Sequence, residues 1–120
     1  MTVNGGTVAP GPIGGIGILT VSSADFSNGG NLLIQIQGYK TPGVDYDQLS
    51  VTKSLILGGT SNITFDEMNK LSGKGTAAGI AKYPKGGLTG KFSTSNVING
   101  TGLLPTQFGY GAKSFDVTFK

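Results

Sequence analysis

GGNLLIQIQ, residues 29–37, places Leu32, Ile34 and Ile36 at every second position, with Gln35 and Gln37 between them. A period of two sends alternate side chains to opposite faces of an extended chain, so the run reads as a β-strand with a buried apolar face and outward glutamines. The same alternation recurs at Leu19 and Val21, Leu49 and Val51, Leu55 and Leu57, Ile63 and Phe65, and Phe115, Val117 and Phe119. Double glycines stand at 5–6, 14–15, 29–30, 58–59 and 86–87, and four of them open strand-like runs: GGTVAP, GGNLLIQI, GGTSNITF and GGLTGKFS. Their first glycines are 24, 29 and 28 residues apart, within the range of stacked-repeat architectures. The apolar anchors Val21, Ile36, Val51, Phe65 and Ile80 follow one another at 15, 15, 14 and 15 residues. That regularity points to an all-β, short right-handed parallel β-helix, one coil per unit, occupying residues 1–120 as a single domain. Short strands at this spacing also fit a β-sandwich, which is the alternative fold.

The composition agrees with a folded, turn-rich chain. Charged residues are 12% of the 120, against about 25% in ordinary globular domains, and 22 residues are glycine. Apolar residues make up 37% and fall in alternating runs, which disordered segments lack. The chain has no cysteine, histidine, tryptophan or arginine. Thiol chemistry, disulfides, a Ser-His-Asp relay and the usual zinc and copper ligand sets are therefore excluded, and no cofactor is expected. The formal net charge of +3 comes from lysines scattered along the chain, without the basic stripe or bidentate arginines of nucleic-acid recognition, so nucleic acid is not an expected partner. MTVNGGTVAP has no charged region followed by an apolar run, and no stretch approaches a membrane span. The expectation is a chain made without export, or a mature or excised segment.

One stretch departs from strand periodicity. In TFDEMNKLSG, residues 64–73, Thr64 and Glu67 match a capping box, Met68 and Leu71 are three apart, and Gly73 can end a turn, which predicts one or two helical turns near 66–72. From Gly73 to Gly111 the glycines, Pro84 and Pro105 predict longer loops between short strands around Ile80, Phe92 and Phe108.

GGTVAPG (5–11), ILTV (18–21), GVDYDQLSV (43–51), LILGGTSNI (55–63) and GGLTGKFSTSNV (86–97) together resemble the terminal segment of bacterial autotransporter passengers and of autotransporter-associated β-strand repeat proteins. The resemblance implies a right-handed parallel β-helix on a secreted or surface-displayed protein with a display, adhesion or scaffolding role. The 66–72 segment and the lysines of KGTAAGIAKYPKGG (74–87) depart from that pattern.

GVDYDQLSV also holds the densest chemistry in the chain. Asp45 and Asp47 could supply oxygens to calcium, but two carboxylates are too few for a cation that takes six to eight ligands. Gly14-Gly15-Ile16-Gly17-Ile18 begins the calcium-binding β-helix repeat, yet Leu19 stands where its aspartate is required. A carboxylate pair could serve glycoside cleavage, but no Trp, Arg or His is present to position a sugar. Asp45 and Asp47 are therefore read as acceptors of backbone N–H groups at a bend, and Asp47→Ala is expected to cost about 1 kcal/mol. No catalytic, cofactor-binding or metal residue is assigned. Gly73-Lys74-Gly75-Thr76 lacks the earlier glycine of a phosphate loop because Met68 occupies that position. Tyr39, Tyr46, Tyr83 and Tyr110 could stack on sugars but read first as lids over core ends. Asn62-Ile63-Thr64 and Asn99-Gly100-Thr101 fit the glycosylation pattern, the latter also a turn.

The functional expectation is a non-enzymatic structural protein of an extracellular surface or appendage. It would self-associate into oligomers or filaments through open strand edges, which little charge protects. The alternative is a binding module, for a surface glycan or receptor or as a virion decoration protein.

Overall fold

The alternating runs are strands. The computed structural model describes residues 1–12 and 14–120, and every regular element among them is β. Ten strands follow in order: β1 (Thr7–Val8), β2 (Ile18–Asp25), β3 (Gly30–Gln35), β4 (Gln48–Ile56), β5 (Ser61–Asp66), β6 (Gly75–Lys82), β7 (Leu88–Thr89), β8 (Thr94–Ile98), β9 (Pro105–Tyr110) and β10 (Ser114–Phe119). They form two sheets. The smaller has the order β1-β3-β5-β8, and the larger β2-β4-β6-β10-β9, with β7 also on β4.

From β1 to β8 the chain passes back and forth between the sheets, and every ladder among these strands is parallel. Thr7, Asn31, Asn62 and Thr94 lie opposite one another along the smaller sheet, so successive strands there are 24, 31 and 32 residues apart (7 to 31, 31 to 62, 62 to 94). The 15-residue spacing of apolar anchors is thus half a circuit. Val21, Val51 and Ile80 belong to the larger sheet, and Ile36 and Phe65 to the smaller one or its end. The pattern ends at β10, which runs antiparallel to both β6 and β9, with a register shift in each ladder. A short turn closes this hairpin, Gly111 N–H donating to the Ser114 carbonyl at 2.9 Å. The molecule is all-β with mixed sheets rather than parallel throughout.

Between the sheets lies one apolar cluster. Leu32, Ile34, Ile63 and Phe65 enter it from the smaller sheet, and Ala24, Leu49, Leu55, Ala77, Phe115, Val117 and Phe119 from the larger. At the C-terminal end aromatic rings fill it: Phe65 meets Phe119 edge-on at 5.1 Å, and Phe115 packs against Tyr110 at 4.7 Å and Phe92 at 5.5 Å. Burying one such side chain contributes about 1.5–3 kcal/mol, so alternation alone is a sufficient cause for the two inner faces.

Three expectations are corrected. Residues 66–72 hold no helix. Met68 and Asn69 both take φ of 55°, in the left-handed region, and the Lys70 and Leu71 N–H groups fold back to the Glu67 carbonyl at 2.9 and 3.2 Å. A left-handed pair cannot continue as a right-handed helix. The capping box fails because Thr64 lies inside β5, where its hydroxyl meets Asn31 and Asn96, and because Glu67 reaches forward to Thr101. Second, the stretch from Gly73 to Gly111 is richer in strands than its glycines suggested, and Phe92 precedes β8 rather than centring a strand. Third, Gln35 does not point to solvent: it is 4% exposed.

Candidate functional site

Asp47 opens β4's corner and is fully buried. Its Oδ1 accepts from Gly17 N–H at 2.8 Å, and its Oδ2 accepts from Gln35 N–H at 2.8 Å and, more weakly, from Gln35 Nε2 at 3.4 Å. The Gln35 amide in turn donates to the carbonyls of Pro12 (2.8 Å) and Gly15 (2.6 Å) and accepts from Gly14 N–H (3.0 Å). Asp47 and Gln35 therefore stitch the segment between β1 and β2 onto β3. Gly11 fits this corner only without a side chain, since a Cβ there would meet the Asp47 carboxylate and lie 2.5 Å from the Gly15 carbonyl and 2.8 Å from Gly17 N. Burial pushes the Asp47 carboxyl above its ordinary value, and the bonds from Gln35 and Gly17 oppose that shift without cancelling it.

Asp45 faces a different segment. Its Oδ2 accepts from the N–H groups of Lys40 and Thr41, both at 3.0 Å, closing the loop before it. The two aspartates thus hold separate backbone segments rather than converging on one point.

The remaining carboxylates behave alike. Asp25 accepts from Ser27 N–H and Oγ (2.8 and 2.6 Å), and these bonds hold its carboxyl below the usual value. Asp66 accepts from Met68 N–H (2.9 Å) and Asn99 Nδ2 (3.0 Å), Glu67 Oε1 from Thr101 N–H (2.9 Å) and Oγ1 (2.8 Å), and Asp116 from Gly79 N–H (2.8 Å) and Ser114 Oγ (3.0 Å). Every carboxylate in the chain accepts at least one backbone N–H. Among the described residues no group of three or more acidic side chains could hold a metal ion. Glu67 Oε2 is buried without a partner.

The tyrosines also clip backbone. Tyr39, Tyr46 and Tyr83 donate to the carbonyls of Gly73 (2.7 Å), Ala78 and Gly111 (2.7 Å), and Tyr110 Oη accepts from Phe92 N–H at 3.1 Å. Burial pushes all four phenols above their ordinary value, so they stay neutral near pH 7. Tyr46 and Tyr83 lie in the core cluster, and Tyr39 and Tyr110 pack against it. None forms an open sugar platform.

A concavity lies on the outer face of the smaller sheet. Asn31, Asn62 and Asn96 stand side by side there: Asn62 Nδ2 lies 2.6 Å from Asn31 Oδ1 and 3.0 Å from Asn96 Oδ1, and Thr94 Oγ1 reaches Asn62 Oδ1 at 2.7 Å. Beside this ladder a groove of about 330 Å³ has Leu33, Gln35 and Asp66 at its base and Met68, Asn69 and Asn99 along one wall. Those last three are the non-glycine residues with positive φ among the described residues, Asn99 at 48°. Of the two glycosylation-pattern asparagines, Asn62 is engaged in the ladder and Asn99 donates to Asp66.

No protein-family model, curated protein or solved structure matches this chain.

Proposed function

We propose that the chain is a non-enzymatic structural element of an extracellular surface or appendage. In this reading it is a short right-handed parallel β-solenoid, of the kind its resemblance to autotransporter passengers implies, ending in an antiparallel hairpin, and it self-associates through strand edges. One observation carries the reading. Both sheets end in strands whose outer edges are open over most of their length; β1, β8 and β9 carry no charged residue, and β2, whose end is bridged by Met1–Val3, carries only Asp25 there. Open edges template further pairing unless charge, proline or a covering segment blunts them. Among the described residues Pro105 on β9 and Met1–Val3 beside the end of β2 do so. The use of all six carboxylates as backbone acceptors supports a structural role for them. Sedimentation velocity and electron microscopy across a wide concentration range test the proposal. Concentration-dependent oligomers or filaments are expected, and a strict monomer at every concentration would sink it.

A glycan-binding module is the second reading, favoured by the groove over Leu33 with Asp66, Asn69 and Asn99 around it. Amide and carboxylate groups around an apolar base suit sugar hydroxyls. A glycan array separates the readings: specific binding lost in Asn69→Ala supports this one.

A further inference from the structure

The two sheets do not end together. In chain order β1 is matched by β2, β3 by β4, β5 by β6 and β8 by β10, whereas β9 is a further strand of the larger sheet with no counterpart in the smaller. A step about 4.8 Å deep, one strand wide, is left alongside β8. A groove of about 360 Å³ occupies that place, lined by Ser95, Asn96 and Val97 of β8 and by Leu104 and Pro105 at the start of β9. The Ile98 carbonyl accepts from Glu67 N–H at 3.1 Å, so the backbone groups of Ile98 face β5, and by alternation those of Asn96 and Thr94 do too. The N–H and C=O groups of Ser95 and Val97 therefore point into the step.

We propose that this step accepts a single extended, uncharged segment of a partner protein, which adds to the edge of β8 as the next parallel or antiparallel strand. A two-fold-related copy does not fit. A second copy brought antiparallel onto β8 by a two-fold axis would carry its own β9 one strand ahead, into the space filled by β9 and β10. The terminal residues seen here are engaged elsewhere: Val3 donates to the Asp25 carbonyl, and Lys120 exchanges two backbone hydrogen bonds with Leu104. Charge selects among the segments that could enter. Residues 92–112, which supply both walls of the step, contain no charged side chain, so a charged side chain turned into it would lose water without meeting a counter-charge from β8 or β9, a cost that an uncharged one avoids. Leu104 of the lining is 58% exposed, and with Ile98 at the end of β8 (41%) and Phe108 on β9 (36%) it makes up half of the large exposed apolar side chains among the described residues; these two strands thus offer apolar contacts to alternate side chains of the added strand. Main-chain bonds to Ser95 and Val97 supply affinity, and these contacts supply selectivity.

Amide hydrogen exchange of the whole chain tests this, with the blocked peptide acetyl-TSNVING-amide as probe and the same peptide carrying lysine in place of its serine and valine, at positions 2 and 4, as control. The probe is expected to slow exchange at Ser95 and Val97 about tenfold or more, leaving Ile18–Ser22 of the β2 edge unchanged, while the lysine peptide has no effect. Val97→Pro removes one of the two donors and is expected to abolish the protection; Ser95→Pro serves the same purpose should Val97→Pro not fold. Absence of protection at millimolar probe, or protection on β2 instead, overturns the proposal. Protection that grows with protein concentration in the absence of peptide, with matching oligomers in sedimentation, also overturns it by making a second copy the occupant, yet it upholds self-association. A strict monomer that binds the probe does the reverse.

Discussion

Removing the Asp47 carboxylate is the sharpest test of what holds the corner together. Asp47→Ala leaves two backbone donors, Gly17 N–H and Gln35 N–H, without their acceptor, and frees the Gln35 amide from one of its contacts. A hydrogen bond to a charged group contributes about 1.5–3 kcal/mol, and a buried donor left unpartnered costs about 1–3 kcal/mol. Against this stands the cost of holding the carboxylate away from water, visible in its raised pKa. The balance is a loss of about 2–4 kcal/mol, well above the cost of one ordinary hydrogen bond and a large share of the roughly 5–15 kcal/mol that such a domain has. Urea denaturation measures it, as a lower midpoint at unchanged slope. The pH dependence has a definite sign. A carboxyl raised in the folded state makes that state bind its proton more tightly, so its contribution is fully present below the unfolded value near 3.8 and is lost as pH rises through the folded value. Relative to Asp47→Asn, in which every other carboxylate is retained, the native protein is therefore expected to lose stability as pH rises from about 4 towards 7. A cost below about 1 kcal/mol for Asp47→Ala, or a native stability that rises relative to Asp47→Asn as pH increases, would refute the clamp.

Other substitutions probe neighbouring features. Gly11→Ala forces a Cβ against the Asp47 carboxylate and the Gly15 carbonyl, and a loss of about 2 kcal/mol is expected in thermal unfolding. Glu67→Gln keeps the acceptor for Thr101 while removing the charge beside the unpartnered Oε2, so its denaturation midpoint is expected to match or exceed that of the native chain; a clear drop would show that Oε2 has a partner in solution. Met68→Gly relieves a left-handed φ that costs an L-residue about 1–2 kcal/mol, which outweighs the entropy glycine adds to the unfolded chain, and a small rise in melting temperature is expected. Tyr46→Phe deletes the hydroxyl bound to the Ala78 carbonyl and is expected to cost about 1 kcal/mol by urea titration.

The apolar alternation was legible because burial acts on each side chain almost independently of what lies opposite. Leu32, Ile34, Leu49, Leu55, Ile63, Phe65, Phe115, Val117 and Phe119 all face inward. Gln35 was not legible. It sits where the period of two demands a solvent-facing residue, and what engages it there is Pro12, Gly14 and Gly15 lying over the sheet's outer face, contacts between positions 20 to 23 residues apart. Nothing local distinguishes it from Gln37, which is exposed. The 66–72 segment misled for a related reason. Thr64 and Glu67 have the types and spacing of a capping box, but Thr64 is held in β5 by pairing with Leu33 and Asn96 and by its hydroxyl's bonds to Asn31 and Asn96, and Glu67 is engaged by Thr101 beyond β8; these outweigh a helix too short to stand alone.

A chain with so few charges could place its carboxylates on the surface for solubility, yet each of its six accepts a backbone N–H: five of them serve connections between strands, and Asp116 serves Gly79 within β6. Parallel strands in alternating sheets demand this. Each crossing between sheets is a loop in which some N–H groups find backbone acceptors and others do not, and with glycine and proline supplying the bends, few side chains remain to accept from the rest. Asp47 for Gly17, Asp45 for Lys40 and Thr41, Asp25 for Ser27, Asp66 for Met68 and Glu67 for Thr101 each serve one crossing. Acidic residues are better suited than amides because a carboxylate presents acceptors in every orientation and no donor to clash with a second N–H. The pairing GVDYDQLSV shows why two of them stand so close: one corner joins two loops, and each needs its own clamp.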